Sequence, residues 1–201
     1  FSGRLTLAIV AAGVVAKKII KPIKINAYLK EAGGNTDIDA AINKAIEDKS
    51  SIGGIIECKA TNMPIGLGEP FFDSVESLIS HIAFAIPAVK GIEFGSGFVA
   101  AKMTGEQHND NFIDIKGTTE TNNAGGINGG ISNGNELIYR IAIKPTSSIS
   151  TAQNSINLSS GEVEELLING RHDSCIALRV PPVAEAAAAI ALADLFLINS
   201  K

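Results

Sequence analysis

Lys24-Ile25-Asn26-Ala27-Tyr28-Leu29-Lys30 is the stretch that decides the fold. Ile25, Ala27 and Leu29, continued backwards by Ile23, fall on one side of an extended chain. Lys24, Asn26, Tyr28 and Lys30 fall on the other, and a period of two predicts a half-exposed strand. Gly33-Gly34 ends it. Thr36 then opens a predicted helix through Asp48 that would bury Ile38, Ala41, Ile42, Ala45 and Ile46. Gly53 to Ala60 reads as a second strand. After a Pro/Gly loop at 62–70, Asp73 followed by Glu76 reads as a capping box for a helix to about Ile86, with another strand around Ile92. Strands alternating with helices in this way predict an α+β domain with helices packed against sheets.

On the N-terminal side, Leu5 to Ile20 is apolar and predicts a buried helix stopped by Pro22. On the C-terminal side, Thr104 to Gly134 is too long for a plain connection, and loops of that length are functional or disordered. Leu137 to Ile143 and Ser148 to Leu158 read as strands, Glu162 to Ile168 as a short helix, and Val183 to Ile198 as an Ala-rich closing helix. With no repeat and no linker, residues 1–201 form a single domain in this reading.

Composition narrows the function. The 201 residues carry 45% hydrophobic side chains, no tryptophan and a net charge of −4, which predicts an aliphatic core and excludes a basic nucleic-acid footprint. An anionic ligand must therefore be held by a local cluster. Cys58 and Cys175 have no metal-ligand spacing and cannot staple a chain of this size, so a reduced, cytoplasmic setting is expected. No uninterrupted apolar run approaches the roughly 18 residues that span a bilayer, so no membrane partner is expected.

Several segments carry more polar chemistry than packing needs. Gly170-Arg171-His172-Asp173-Ser174-Cys175 places a cation, an imidazole and a carboxylate on successive residues. The triplet reads either as a turn salt bridge or as an anion clamp beside a proton carrier. Only four arginines stand against thirteen lysines, and the guanidinium fork suits phosphate or carboxylate held in one orientation. Ser2-Gly3-Arg4 opens the first helix with a hydroxyl and a guanidinium, which reads as a cap or as an anion site. Lys144-Pro145-Thr146-Ser147-Ser148 is a strand-end turn or a phosphate cradle. Gly66-Leu67-Gly68-Glu69-Pro70 reads as a turn, while Pro87-Ala88-Val89-Lys90-Gly91 and Gly95-Ser96-Gly97 allow close backbone approach to a flat ligand. Residues 121–134 hold five glycines and four asparagines, either a low-complexity loop or an ordered one that offers backbone N–H groups.

In this order, these segments together resemble the chorismate synthases, from Phe1 to about Asp194, including Glu185-Ala186 after a proline. The Phe1-Ser2-Gly3-Arg4-Leu5-Thr6 version looks most like archaeal members. The resemblance implies a β-α-β sandwich with helices packed between antiparallel sheets, assembled as a homotetramer. It implies a carbon–oxygen lyase that eliminates phosphate and a ring proton, anti-1,4, from 5-enolpyruvylshikimate 3-phosphate to give chorismate, the last step of the shikimate pathway towards aromatic amino acids. Reduced FMN is required without net redox change.

Carried onto this chain, the flavin contacts would be Phe1, Ser2, Pro87, Ala88, Gly129, Lys144, Pro145, Thr146, Ser147, Ser148 and Arg171. Asp173 matches the carboxylate that helps the flavin nitrogen handle the proton, His172 lies beside it, and Arg4 is expected near the anionic substrate or cofactor. The family's Glu-Ser-His-Gly segment and the histidine before Ser-Gly-Arg do not precede Phe1. The expectation is therefore a C-terminal part of such an enzyme, inactive by itself. The alternative is a non-catalytic flavin- or anion-binding fragment or paralogue. His81 and His108 lie elsewhere and read as surface or capping residues.

Overall fold

The computed structural model describes residues 2–170 and 172–200. A 3-10 turn, Gly3–Leu5, leads into helix α1 (Thr6–Ile19), followed by β1 (Lys24–Ala32), α2 (Ile38–Glu47), β2 (Gly54–Thr61), α3 (Val75–Ala83) and β3 (Val89–Phe94). Then come a short helix α4 (Gly105–His108), the tiny hairpin β4 (Ile127–Asn128) and β5 (Ile131–Ser132), and β6 (Leu137–Ile143). An outlying hairpin of β7 (Gln153–Ile156) and β8 (Val163–Leu166) precedes α5 (Pro181–Asn199).

Four strands pair antiparallel in the order β1-β2-β6-β3. The alternation seen at Lys24–Lys30 runs through the sheet: Leu137, Tyr139, Ile141 and Ile143 of β6 are buried, as are Ile56, Cys58 and Ala60 of β2. That apolar face meets α5, flanked by α1 and α3. Alanines at 184, 186–189, 191 and 193 let α5 lie close to its neighbours. The Tyr139 hydroxyl, wholly buried, donates to the Ala184 carbonyl at 2.8 Å. Glu185 pairs with Lys17 and accepts the Ala27 N–H of edge strand β1 at 2.9 Å, so one carboxylate ties α1, α5 and the sheet together. The fold class is thus the expected α+β with antiparallel sheets. Of the sandwich, the described residues supply a four-stranded sheet and the helical layer upon it.

Several local expectations are corrected. Within α1 only Gly13 and Ala16 are buried while Leu7, Val14 and Val15 are exposed, because only the strip against α5 is covered. Asp37, not Thr36, caps α2 by accepting the Ala40 N–H at 3.0 Å, and Ile46 faces outward. Ser74, not Asp73, caps α3, accepting the Ser77 N–H at 3.1 Å. The predicted short helix at Glu162–Ile168 is strand β8: the Asn157–Gly161 turn, with Gly161 at φ 78°, folds it onto β7. A seven-residue stretch with no core to dock on does not repay helix nucleation. The Ser148–Leu158 strand contracts to β7. By length and hydropathy α5 could cross a membrane, contrary to the expectation that no segment could, although here it lies in the core with over half of it buried.

Candidate active site

Antiparallel register builds the first part of the site. Val89 at the start of β3 stands opposite Ile143 at the end of β6. The residues before one strand and after the other therefore meet, and the Lys144 N–H donates to the Ala88 carbonyl at 2.9 Å. Ile86-Pro87-Ala88-Val89 is a turn closed by the Val89 N–H on the Ile86 carbonyl, with Ala88 at φ 73°. Proline second and a positive φ third is the type II pattern, and an alanine in the glycine position stores strain beside the site.

Pro87 and Ala88, together with Lys144, Pro145, Thr146, Ser147 and Ser148, line one cleft of about 710 Å³, closed by Phe84, Ala85, Ile86, Val89 and Ile176. The Ser51 hydroxyl holds the Thr146 carbonyl at 2.5 Å and Gln153 holds that of Ser147 at 3.0 Å.

Thr146 links this cleft to a second one. Its hydroxyl donates to the Asp173 carbonyl at 3.1 Å, and the Ile52 N–H donates to the Ser174 carbonyl at 2.8 Å. Asp173 then shares a cleft of about 640 Å³ with Ser2, Gly3, Arg4 and Arg179. Arg4 sits in the Gly3–Leu5 turn, its N–H received by the Ser2 hydroxyl at 3.2 Å. Arg179 Nη2 donates to Asp173 Oδ1 at 2.8 Å. The His172 ring meets the Ile168 carbonyl through Nε2 at 3.0 Å; a carbonyl only accepts, so Nε2 carries the proton there.

Of the candidates read from sequence, Ser2, Arg4, Asp173 and residues 144–148 thus converge with Pro87 and Ala88 on two linked clefts. Phe1 and Arg171 lie outside the described residues. Gly129 stands apart, lining neither cleft. It turns the β4–β5 hairpin at φ 61°, and that hairpin packs on the Gly66–Pro70 loop. There the buried Ser132 hydroxyl accepts the Leu67 N–H at 2.9 Å and donates to the Pro64 carbonyl at 2.6 Å, while Val75 N–H donates to Gly130.

Two residues escaped the reading. Arg179 was open to discovery, being one of only four arginines and six positions beyond Asp173. Asp110 carried no such signal, yet it orders the Gly/Asn-rich loop. Its carboxylate accepts the Asn123 and Ala124 N–H groups at 2.7 and 2.9 Å and the Thr121 hydroxyl at 2.7 Å.

The arrangement suits an anionic, partly flat ligand. Lys144, three hydroxyls and Arg4 supply cations and donors, Pro87-Ala88 an apolar wall, and Asp173 an acceptor. The first cleft also lies within the roughly 300–1,000 Å³ range of cofactor pockets, so the residues present fit a flavin nucleotide.

Comparison with known proteins bears on this directly. The chorismate synthase family model matches residues 1–197. A chorismate synthase from Chitinophaga pinensis is 58% identical over 202 residues, covering 100% of this chain and 61% of that protein. One from the archaeon Archaeoglobus fulgidus is 40% identical, covering 98% of this chain and 63% of that protein. A crystal structure of a chorismate synthase superposes with a TM-score of 0.81 at 26% identity, covering 98% of this chain and 65% of the other. The chain therefore spans a little under two thirds of the length of the relatives it matches. On the family match and the shared fold, the chain belongs to the chorismate synthase family.

Proposed function

We propose that this chain carries flavin- and substrate-binding parts of an enzyme that converts 5-enolpyruvylshikimate 3-phosphate to chorismate by anti-1,4-elimination of phosphate. The single observation that supports it most is the joining of two clefts through Thr146 and Asp173, one lined by hydroxyls and Lys144, the other by Arg4 and a carboxylate. Reduced FMN, when bound, supplies the electron density that eases departure of phosphate. Pro87, Ala88, Lys144 and residues 145–148 are the groups that would hold it.

In the elimination the C–O bond to phosphate breaks, a ring C–H proton leaves, and a double bond forms, so no oxidant or reductant is consumed. Arg4 offers charge-assisted donors to the substrate's anionic groups, and these strengthen as negative charge gathers on the leaving phosphate. In this reading Asp173, acceptor-only when ionised, helps the departing proton off and holds the proton-accepting site in line. A cytoplasmic homotetramer belongs to the same reading, supported by family membership.

The test is anaerobic turnover with reduced FMN in the enzyme carrying this chain. Asp173→Asn should lower kcat by about 10²-fold or more while flavin affinity changes little. Near-normal turnover in that variant would remove Asp173 from the chemistry.

A further inference from the structure

We infer that Arg179 is a positioning residue for Asp173, fixing the orientation in which that carboxylate meets the flavin and substrate. The inference rests on the function proposed above and extends it to a residue outside the family's named contacts.

Asp173 sits in an irregular segment whose backbone is tied by Thr146 and, one residue on, by Ile52. Neither contact restrains its side chain, which is about half exposed. Among the described residues, the Arg179 guanidinium is the group that does, reaching Oδ1 at 2.8 Å and leaving Oδ2 without a hydrogen bond, in the cleft it shares with Arg4.

Arg179 has the firmer mount. It closes the 3-10 turn Ile176–Arg179, where Ala177 is wholly buried and Cys175 and Val180 on either side are buried too. The Val180 N–H returns to the Ala177 carbonyl at 3.1 Å, and α5 starts at the next residue. An always-charged planar fork, carried on a backbone turn whose neighbours are seated in the core, therefore meets a carboxylate on a loop. With the two side chains 76% and 49% exposed, such a pair adds little to fold stability. Its consequence is geometric, and misplacing a reacting group by about 1 Å can lower a rate by about 10²-fold.

The test uses the enzyme carrying this chain, with reduced FMN and substrate. Arg179→Gln should lower kcat about 10- to 100-fold, with KM, flavin affinity and Tm nearly unchanged, and Arg179→Lys should restore part of the loss. In an Asp173→Asn background, Arg179→Gln should cause no further loss, because its effect passes through Asp173. A kcat within twofold of wild type, a rise in KM alone, or the same fold-loss in both backgrounds would overturn the inference.

A second readout needs neither cofactor nor turnover. In the unliganded protein the 13C resonance of the Asp173 carboxyl should move on Arg179→Gln, and an unmoved resonance also overturns the positioning role. If the resonance moves but Asp173→Asn remains fully active, the proposed chemistry fails and the contact is structural.

Discussion

Glu57 and Arg140 stand directly opposite each other on β2 and β6, and the Arg140 Nε donates to Glu57 Oε2 at 2.5 Å on the sheet face away from the helices. The rung continues in both directions, through Tyr28 on β1 and Glu93 on β3. The same guanidinium reaches the Gly95 carbonyl at 2.8 Å. Ser96 next to it donates to Asn123 at 2.8 Å. One polar row, charged on β2, β6 and β3 and closed by the Tyr28 hydroxyl on β1, thus crosses all four strands and anchors the Gly/Asn-rich loop at its end.

Glu57→Gln should therefore weaken the fold. Burial pushes the Glu57 carboxyl up, but hydrogen bonds from Lys30, Tyr28 and Arg140 outweigh it and hold the pKa at about 2, against 4.5 for a free glutamate. A depressed folded pKa means stabilisation fully present above about pH 4.5 and lost as pH falls through about 2. The variant should be less stable by about 2–3 kcal/mol at pH 7. Between pH 4.5 and 2 wild-type stability should fall more steeply than that of the variant. Urea midpoints across this range check both, and parallel pH curves would disprove the ionised role of Glu57.

Ala88 holds a left-handed conformation with the Lys144 N–H on its carbonyl. Glycine removes a Cβ penalty of about 1–2 kcal/mol and adds about 0.4–1 kcal/mol of unfolded-state entropy. Ala88→Gly should then raise Tm by about 1–3 °C, and Ala88→Val should lower it. If the strain serves the cleft, flavin titration will show weaker binding in the more stable glycine variant.

Gly13 reverses the usual rule for helices. Alanine normally stabilises an exposed helix by about 1 kcal/mol over glycine, but a Cβ here would lie 2.4 Å from that of Ala186 and 2.6 Å from its Cα. With backbone as the obstacle, α1 must move off α5. Gly13→Ala should lose about 1–3 kcal/mol, whereas Gly105→Ala, with nothing within 4 Å, should be close to neutral. Equal Tm values for the two would refute this account of the helix contact.

The sheet was legible because period-two alternation at Lys24–Lys30 and Leu137–Ile143 records a face that must be buried. The clefts were legible in part: residues 87–88 and 144–148 carried polar and turn chemistry, but only the Val89–Ile143 register brings them together. What stayed hidden depends on neighbours distant in sequence. The outward half of α1 looks as apolar as its buried strip, so no pattern separated them. The helix expected at Glu162–Ile168 failed because hairpin closure at Gly161 outweighed weak local propensity.

Asp110 gives the loop prediction. Its carboxylate accepts two backbone N–H groups and one hydroxyl from residues 121–124. Burial raises its pKa, and these donors from Ala124, Thr121 and Asn123 outweigh that and lower it below the ordinary 3.8. Asparagine keeps one acceptor oxygen but turns an NH2 towards donors that need an acceptor, leaving at least one of them unpaired at about 1–3 kcal/mol. Asp110→Asn should then raise hydrogen exchange at the Asn123 and Ala124 amides by about 10-fold or more, 1.4 kcal/mol being a tenfold change. The wild-type protection should itself weaken as pH falls below 3.8. Because Ser96 and Gly95 lean on the same loop, the Arg140 row should loosen with it, visible as faster exchange at Gly95. Unchanged protection at Asn123 and Ala124 would mean that the glycines and asparagines order this loop without the carboxylate.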